Sequence, residues 1–324
     1  MSYLLTNASA LTALQNLSMT QNSLSTTQSQ LSTGLKIQNA SDNASYWSIA
    51  QTMSSDNGAL GAVSSALQTS ASMLSTFNSA VTQTLSVVNN IKTDLANAQN
   101  ANGDVTTLTQ IQGDITAQQN ALVQIANAAA FNGQNWLNGT INGATSANAT
   151  TSVSLVASLN NSNGNNDSIG TINVAANNVN LFTNGASSAA TASGGLLAST
   201  GTGISWQILG ATTGSSGGAI QVVNGTNAMA SSALSAMYAS VNAIISNLET
   251  AATTIGGAQQ QVTIQQSFNT TMQSNLSNGV ASLVDADMNQ VSTRLQALQT
   301  QQQLGVQSLS IANQSSQMIL KLFQ

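Results

Sequence analysis

The sequence predicts a mainly α fold: a long antiparallel helical bundle and coiled coil formed by paired N- and C-terminal regions, with a small β-rich insertion domain. Three observations predict it. Apolar residues recur in alternating steps of three and four towards both ends of the chain. No proline occurs in the 324 residues, so nothing forces a kink in any long helix. Between residues 141 and 227 the helical period lapses, and short β-type runs take its place.

The C-terminal end organises the rest. From Val284 a heptad seam passes through Met288, Val291, Leu295, Leu298, Gln302, Gly305, Leu309, Ala312, Ser316, Ile319 and Phe323. That pattern predicts one helix of about 60 Å. Gln302, Gly305 and Ser316 interrupt the stripe, so the helix needs a partner to be stable. At the other end Tyr3, Ala10, Leu14, Leu17, Leu24, Leu31 and Leu35 follow the same alternation, with Gln21 and Gln28 as polar breaks. Two half-apolar seams predict that the termini return to each other, with everything else hung between them.

Taken in order, the turn-rich stretch Lys36 to Asn43 ends the first helix and offers Ser41 or Asp42 as N-cap of the second. The second seam carries Ile49, Met53, Leu60, Val63, Leu67, Leu74, Phe77, Val81, Val88, Ile91, Leu95 and Ala98, and Asn100 to Gly103 should end it. Asp104 caps a third helix with the stripe Leu108, Ile111, Ile115, Leu122, Ile125 and Ala129, which stops near Phe131-Asn132-Gly133. Next come the β-type runs Val153 to Leu159, Ile169 to Val174, Ile204 to Leu209 and Ala219 to Val223, with Phe182 and Trp206 as expected anchors. The helical period returns around Ala228 and runs through Leu234, Met237, Val241, Ile244, Leu248, Ile255, Val262, Met272, Leu276 and Leu283. Its register slips between Leu283 and Val284, which predicts a break just before Asp285 and Asp287. The expected domains are 1–40 with 285–324 as a terminal coiled-coil inner core, 41–140 with 228–284 as a helical outer core, and 141–227 as a variable β-rich surface domain.

Composition narrows the function. Only 4% of residues are charged, against roughly 25% in ordinary soluble proteins, and Ser, Thr, Asn and Gln stand in their place. Hydrophobic content is 41%, so a core can form, while little charge keeps copies apart. Four basic residues (Lys36, Lys92, Arg294, Lys321) and a net charge of −5 exclude an electrostatic nucleic-acid or anionic-membrane surface. Polar residues interrupt every candidate bilayer span, and Met1 to Leu17 lacks the basic start and apolar centre of a cleaved secretory signal. Zero Cys removes disulfides and thiolate chemistry.

The residues for catalysis are missing. No His is present, and Ser without a base is only an alcohol. The acids Asp42, Asp56, Asp94, Asp104, Asp114, Asp167, Glu249, Asp285 and Asp287 are scattered, and the Asp285/Asp287 pair reads as a helix cap or solvated turn rather than a metal site. The glycines between 185 and 218 follow no phosphate-loop spacing. No enzyme activity, cofactor or metal is expected. Asn-x-Ser/Thr triplets such as Asn138-Gly139-Thr140 arise at chance frequency in so Asn-rich a chain.

Three groups of residues carry a family resemblance. Leu31-Ser32-Thr33-Gly34-Leu35-Lys36-Ile37, Ala40-Ser41-Asp42-Asn43-Ala44 and Ser48-Ile49-Ala50 resemble the N-terminal signature of bacterial flagellins. Phe131-Asn132-Gly133 with Trp136-Leu137 resembles the motif at the end of the family's third helix. Leu283 to Met288, Leu295 to Gln299 and Ser310 to Gln314 are similar to its C-terminal signature, and Tyr46-Trp47 with Gln301 to Gly305 is similar to the alphaproteobacterial type. The resemblance implies a secreted structural subunit of the flagellar filament that polymerises with itself for swimming motility. It further implies as partners the filament cap, the hook-filament junction proteins, the flagellar type III export apparatus and a flagellin export chaperone. Its terminal coil, here Leu14, Leu17, Leu24, Leu31, Leu35, Met288, Val291, Leu295, Leu298, Leu309, Ala312, Ile319 and Phe323, would carry subunit assembly. The competing readings are a hook-filament junction protein, which shares the terminal signatures, and an enzyme carried in 141–227. Two departures stand out. Gln, Asn, Ser and Thr replace the family's usual charges, so cohesion should be insensitive to pH. Val87 to Gln99 lacks the Arg and Glu that animal innate receptors contact in some flagellins.

Overall fold

The computed structural model describes residues 7–138, 140–141, 144–145, 152–162, 166–175, 179–181, 195–198, 208, 220–224 and 227–322. In chain order the elements are α1 (Ala8–Thr33), α2 (Ala44–Asn100), α3 (Val105–Ala128), β1 (Thr140–Ile141), β2 (Ala144–Thr145), β3 (Ser152–Ser162), β4 (Asn166–Ala175), α4 (Gly195–Ala198), β5 (Val223–Asn224), β6 (Asn227–Ala228), α5 (Ser231–Val284) and α6 (Met288–Leu322). The packing falls into two compact units, Met1–Gly58 with Met272–Gln324, and Ala59–Thr271.

In the unit 59–271 the expected stripes form one core. Leu67, Leu74, Phe77, Val88, Ile91 and Leu95 of α2, Leu108, Ile115 and Leu122 of α3, and Met237, Val241, Ile244, Leu248, Ile255 and Val262 of α5 are all buried in a single cluster. Asp104 caps α3 as expected, accepting from the Thr106 N–H at 3.1 Å and the Thr107 hydroxyl at 2.6 Å. These two donors, the hydroxyl foremost, hold its carboxyl below the usual range. Polar residues enter the core on terms set by their own helix: the buried Ser70, Thr84 and Ser240 hydroxyls donate to the carbonyls of Ala66, Ala80 and Ala236 one turn back. Each alcohol is thereby satisfied, and its carbon atoms face the apolar neighbours. This local device lets a Ser- and Thr-rich chain pack long helices without charge.

Past α3 the chain reverses in a two-residue turn. Phe131 and Gln134 exchange backbone hydrogen bonds around Asn132 (φ 50°) and Gly133 (φ 77°), a left-handed pair that Asn-Gly adopts readily. Asn135 then caps the end of α3 from outside the helix. Its Nδ2 donates to the carbonyls of Ala126 (2.6 Å) and Asn127 (3.2 Å), and its Oδ1 accepts from the N–H groups of Leu137 and Asn138 at 3.1 Å. This fixes Trp136, fully buried with its ring 4.7 Å from that of Phe77.

The inserted segment contains the long antiparallel hairpin β3–β4, bulged between Val156 and Ser158, which sets Val153, Leu155, Ile172 and Val174 on the core. The predicted runs Val153 to Leu159 and Ile169 to Val174 lie inside these strands. Of the run Ala219 to Val223 the described part is 220–223, and there only Val223 is in a strand, paired in β5 with β6; α5 begins at Ser231 rather than near Ala228. Phe182, Trp206 and most of the run Ile204 to Leu209 lie outside the described residues. Leu137, Leu181, Leu197 and Ile208, all fully buried, are joined by successive backbone hydrogen bonds. α3 holds this series through amides: Gln119 Nε2 donates to the carbonyls of Ile208 (2.9 Å) and Ile220 (3.2 Å), and Gln112 Oε1 accepts from Val222 N–H at 2.7 Å.

In the other unit α1 packs along α6. The break expected at Asp285 is present, because α5 ends at Val284 and α6 starts at Met288. The cap of α2 differs from expectation. Asn43 Oδ1 accepts the Tyr46 N–H at 3.2 Å, while the Asp42 carboxylate turns back to the N–H groups of Gln38 and Asn39, whose bonds hold it below the usual range. Asp42 closes the preceding turn, which leaves the next residue to start the helix.

Candidate assembly interface

The terminal pair is positioned by a staple at its base. Gly34, at φ 74°, ends α1 and accepts the Ala286 N–H at 2.8 Å, Lys36 N–H donates to Val284 carbonyl at 2.7 Å, and Leu35 bridges Asp285. Ile37, Ala50 and Val284 bury one another just beneath. Asp287 caps α6, its Oδ1 accepting from the N–H groups of Asn289 (3.0 Å) and Gln290 (3.3 Å), so this acid serves as the helix cap expected of it.

Above the staple the helices run antiparallel. Gln302 Nε2 donates to Gln21 Oε1 at 2.7 Å, and near the top Asn7 Nδ2 reaches the Ala312 carbonyl at 2.9 Å. Both links are uncharged. On α6 the seam is the one read from the sequence: Val284, Val291 and Leu298 are buried, and Leu295, Gln302, Gly305, Leu309 and Ala312 are half-buried. Met288, at the helix start, is exposed. A Cβ on Gly305 would stand 3.2 Å from Leu17 Cδ1, so this glycine admits the Leu17 side chain. The side chain of Ile319 and all of Phe323 lie outside the described residues.

On α1 the expected seam is corrected by one position per heptad. Leu24 is 6% exposed and Leu17, Leu31 and Leu35 are half-buried, but Leu14 is 58% exposed. The inward positions between the leucines are Ala13, Thr20 and Thr27, not Leu14, Gln21 and Gln28. Thr27 is buried because its hydroxyl bonds the Ser23 carbonyl at 2.8 Å, and Thr20 bonds Asn16 in the same way. A similar shift occurs at the start of α2, where Ala50 takes the buried position and Ile49 is exposed.

The second finding is what the pair leaves uncovered. Leu304 and Ile311 are each 61% exposed, and Leu11, Leu14, Met19 and Val306 are also exposed. Leu304 and Ile311 are seven residues apart and lie about 160° round α6 from the seam residues Gln302 and Leu309, at the ordinary helical repeat. α6 thus carries apolar side chains on two faces, one of them uncovered within the chain, and α1 exposes Leu11, Leu14 and Met19 around the flanks of its seam.

No group of three or more His, Cys, Asp or Glu is placed to hold a metal among the described residues. A cleft of about 590 Å³ between α2 and α3 is lined by Ser75, Thr76, Ser79, Gln83 and Gln124 with alanines, none of them an acid or base at neutral pH. No helix among the described residues is long and apolar enough to cross a membrane.

Residues 4–142 match the bacterial flagellin N-terminal helical region, and residues 238–323 match the bacterial flagellin C-terminal helical region. The chain belongs to the bacterial flagellin family. Flagellin C of Rhizobium meliloti (strain 1021) is 38% identical over 328 residues, and the flagellin of Brucella melitensis biotype 1 is 39% identical over 331, each match covering the whole of both chains. A flagellin A of Rhizobium meliloti is 33% identical over 398 residues, again across both full lengths. The chain is a flagellin, the structural subunit of the flagellar filament, and its mainly helical fold agrees with the two matched helical regions. The residues that sequence reasoning missed are Thr20, Thr27, Asn43, Gln119 and Asn135, all polar and all judged by type rather than by the local partner each one finds.

Proposed function

We propose that the α1–α6 pair is the element through which copies of this flagellin polymerise. The observation that carries the reading is the uncovered apolar face of α6, with Leu304 and Ile311 at 61% exposure, together with the exposed Leu11, Leu14 and Met19 of α1. Burying a leucine or isoleucine contributes about 1.5–3 kcal/mol, so covering several of them per subunit drives association. Leu14 takes its assembly role here on the outer face, while Leu17, Leu24, Leu31, Leu35, Val291, Leu295, Leu298, Leu309 and Ala312 hold the pair together. Met288, Ile319 and Phe323 belong to the same assembly surface by heptad position.

On this reading 1–40 with 285–324 forms the inner core of the filament, 41–140 with 228–284 the outer core, and 141–227 the outward surface. The protein acts outside the cell, has no enzymatic role, and meets the filament cap, the hook-filament junction proteins, the type III export apparatus and an export chaperone on the way. A chain without cysteines suits passage in an unfolded state. Removing Ala286 to Gln324 tests the proposal: the shortened chain stays folded and fails to form filaments in electron micrographs. Filaments of ordinary length from the shortened chain would refute it.

A further inference from the structure

We propose that Tyr46, Trp47 and Ile49, at the start of α2, form a subunit contact covered by a second copy of this chain in the filament, separate from the terminal helix pair. The proposal rests on the filament reading above. Tyr46 is 48%, Trp47 36% and Ile49 49% exposed, and among residues 44–52 only Ala50 is buried. Aromatic residues make up 3% of the chain, and the other described indole, Trp136, is fully buried against Phe77. Two adjacent aromatics left in water at a helix start are thus an unusual use of a scarce residue type.

Tyr46 also lines a cleft of about 460 Å³ with Gln30, Ile37 and Leu283, bordered by Lys36 and Asp42. The Asp42 carboxylate is taken up by the N–H groups of Gln38 and Asn39. The exposed side chains are apolar or aromatic, while the cleft beside them is mostly polar and carries one cation and one anion at its rim, so identical copies meet there with little net repulsion. Trp and Tyr are the residues most often found as interface anchors.

Size decides the occupant. Three side chains expose far less than the roughly 800 Å² per partner that a stable free complex needs. The patch cannot retain an independent partner by itself, but it adds to an association whose geometry another contact already fixes. In a filament that neighbour is a second copy, and because a filament contact is head-to-tail, the patch meets a different surface of the next subunit.

The test is acrylamide quenching of tryptophan fluorescence in the full-length monomer and in its polymer, with Trp47→Phe used to subtract the other indoles. The Trp47 contribution should be quenched freely in the monomer and be largely protected in the polymer. Trp47→Ala should raise the critical concentration for polymerisation about tenfold, the effect of losing one anchor. Polymers in which Trp47 stays as quenchable as in the monomer would overturn the contact while leaving the filament reading intact. Failure of the unaltered chain to polymerise at all would overturn the filament reading, and the contact with it.

Discussion

Leu24→Ala and Leu14→Ala separate the buried seam of α1 from its exposed flank. Leu24 is 6% exposed, so its truncation removes nearly a whole buried side chain and leaves a gap beside α6. Buried Leu→Ala changes cost about 2–5 kcal/mol, and a two-helix contact open to solvent on its flanks can partly close, which places this one at about 2–3 kcal/mol. Leu14 is 58% exposed, so less than half of its burial is at stake within the chain. That is about 1 kcal/mol or less, and the better helix propensity of alanine offsets some of it. Amide hydrogen exchange over residues 8–33 and 288–322 in the monomer reads the difference. Leu24→Ala should accelerate exchange by about thirty- to a hundred-and-fiftyfold, and Leu14→Ala by only a few-fold. In polymerisation the order changes, since Leu14→Ala raises the critical concentration through the outer face. Equal acceleration by the two substitutions in the monomer would refute the corrected seam.

Three further outcomes follow from named contacts. Asn135→Ala orphans the Ala126 carbonyl and the Leu137 N–H in the core and should lower the urea-unfolding stability of the 59–271 unit by about 2–4 kcal/mol. Asp287→Ala removes the acceptor of two N–H groups at the start of α6 and should cost about 1 kcal/mol, seen as faster exchange confined to the first turn of α6. The carboxyls of Asp42 and Asp104 sit below their ordinary value in the folded chain, so at low pH the unfolded chain binds protons first. The stability they contribute is complete above the unfolded carboxylate range and is lost as pH falls through their depressed values. Thermal unfolding should accordingly be flat from neutral pH to about pH 5 and decline only below about pH 4.

Much of this fold was legible because its signal is periodic. The stripes from Val63 to Ala98, Leu108 to Leu122 and Leu234 to Val262 are large aliphatic residues at helical spacing, and hydrophobicity alone places them. The slip between Leu283 and Val284 was equally plain, and the bridge between Leu35 and Asp285 shows what it accomplishes. The seam of α1 was misread for a definite reason. Ala10, Leu17, Leu24 and Leu31 belong to either register, and Leu14 outranks Ala13 on any hydropathy scale. Thr20 and Thr27 decide the register through hydroxyls bonded within their own helix, which a count of apolar residues does not see. Asn43 in place of Asp42 as cap, and Ala50 in place of Ile49 in the seam, are the same kind of error, settled by one hydrogen bond or one packing contact. The hold of Gln112 and Gln119 on the inserted segment lies about 90 to 110 residues away in sequence and leaves no local mark.

Two of the described charges meet uncharged partners. Lys92 lies 5.5 Å over the Tyr238 ring, and Asp94 accepts from Gln118 Nε2 at 2.8 Å. Cohesion in the terminal pair likewise rests on amides and apolar packing, through Asn7, Gln21 and Gln302. Added salt should therefore change its stability little, since screening acts on charge pairs.

The absence of any native cysteine makes one measurement decisive. Leu304→Cys and Leu298→Cys place a single thiol on the outer and inner faces of α6, and labelling rates are compared in monomer and filament. The account predicts that Cys at 304 reacts rapidly in the monomer and is protected in the filament, while Cys at 298 is slow in both. A thiol at 304 that labels equally fast before and after polymerisation would contradict the claim that neighbouring copies complete the terminal helices.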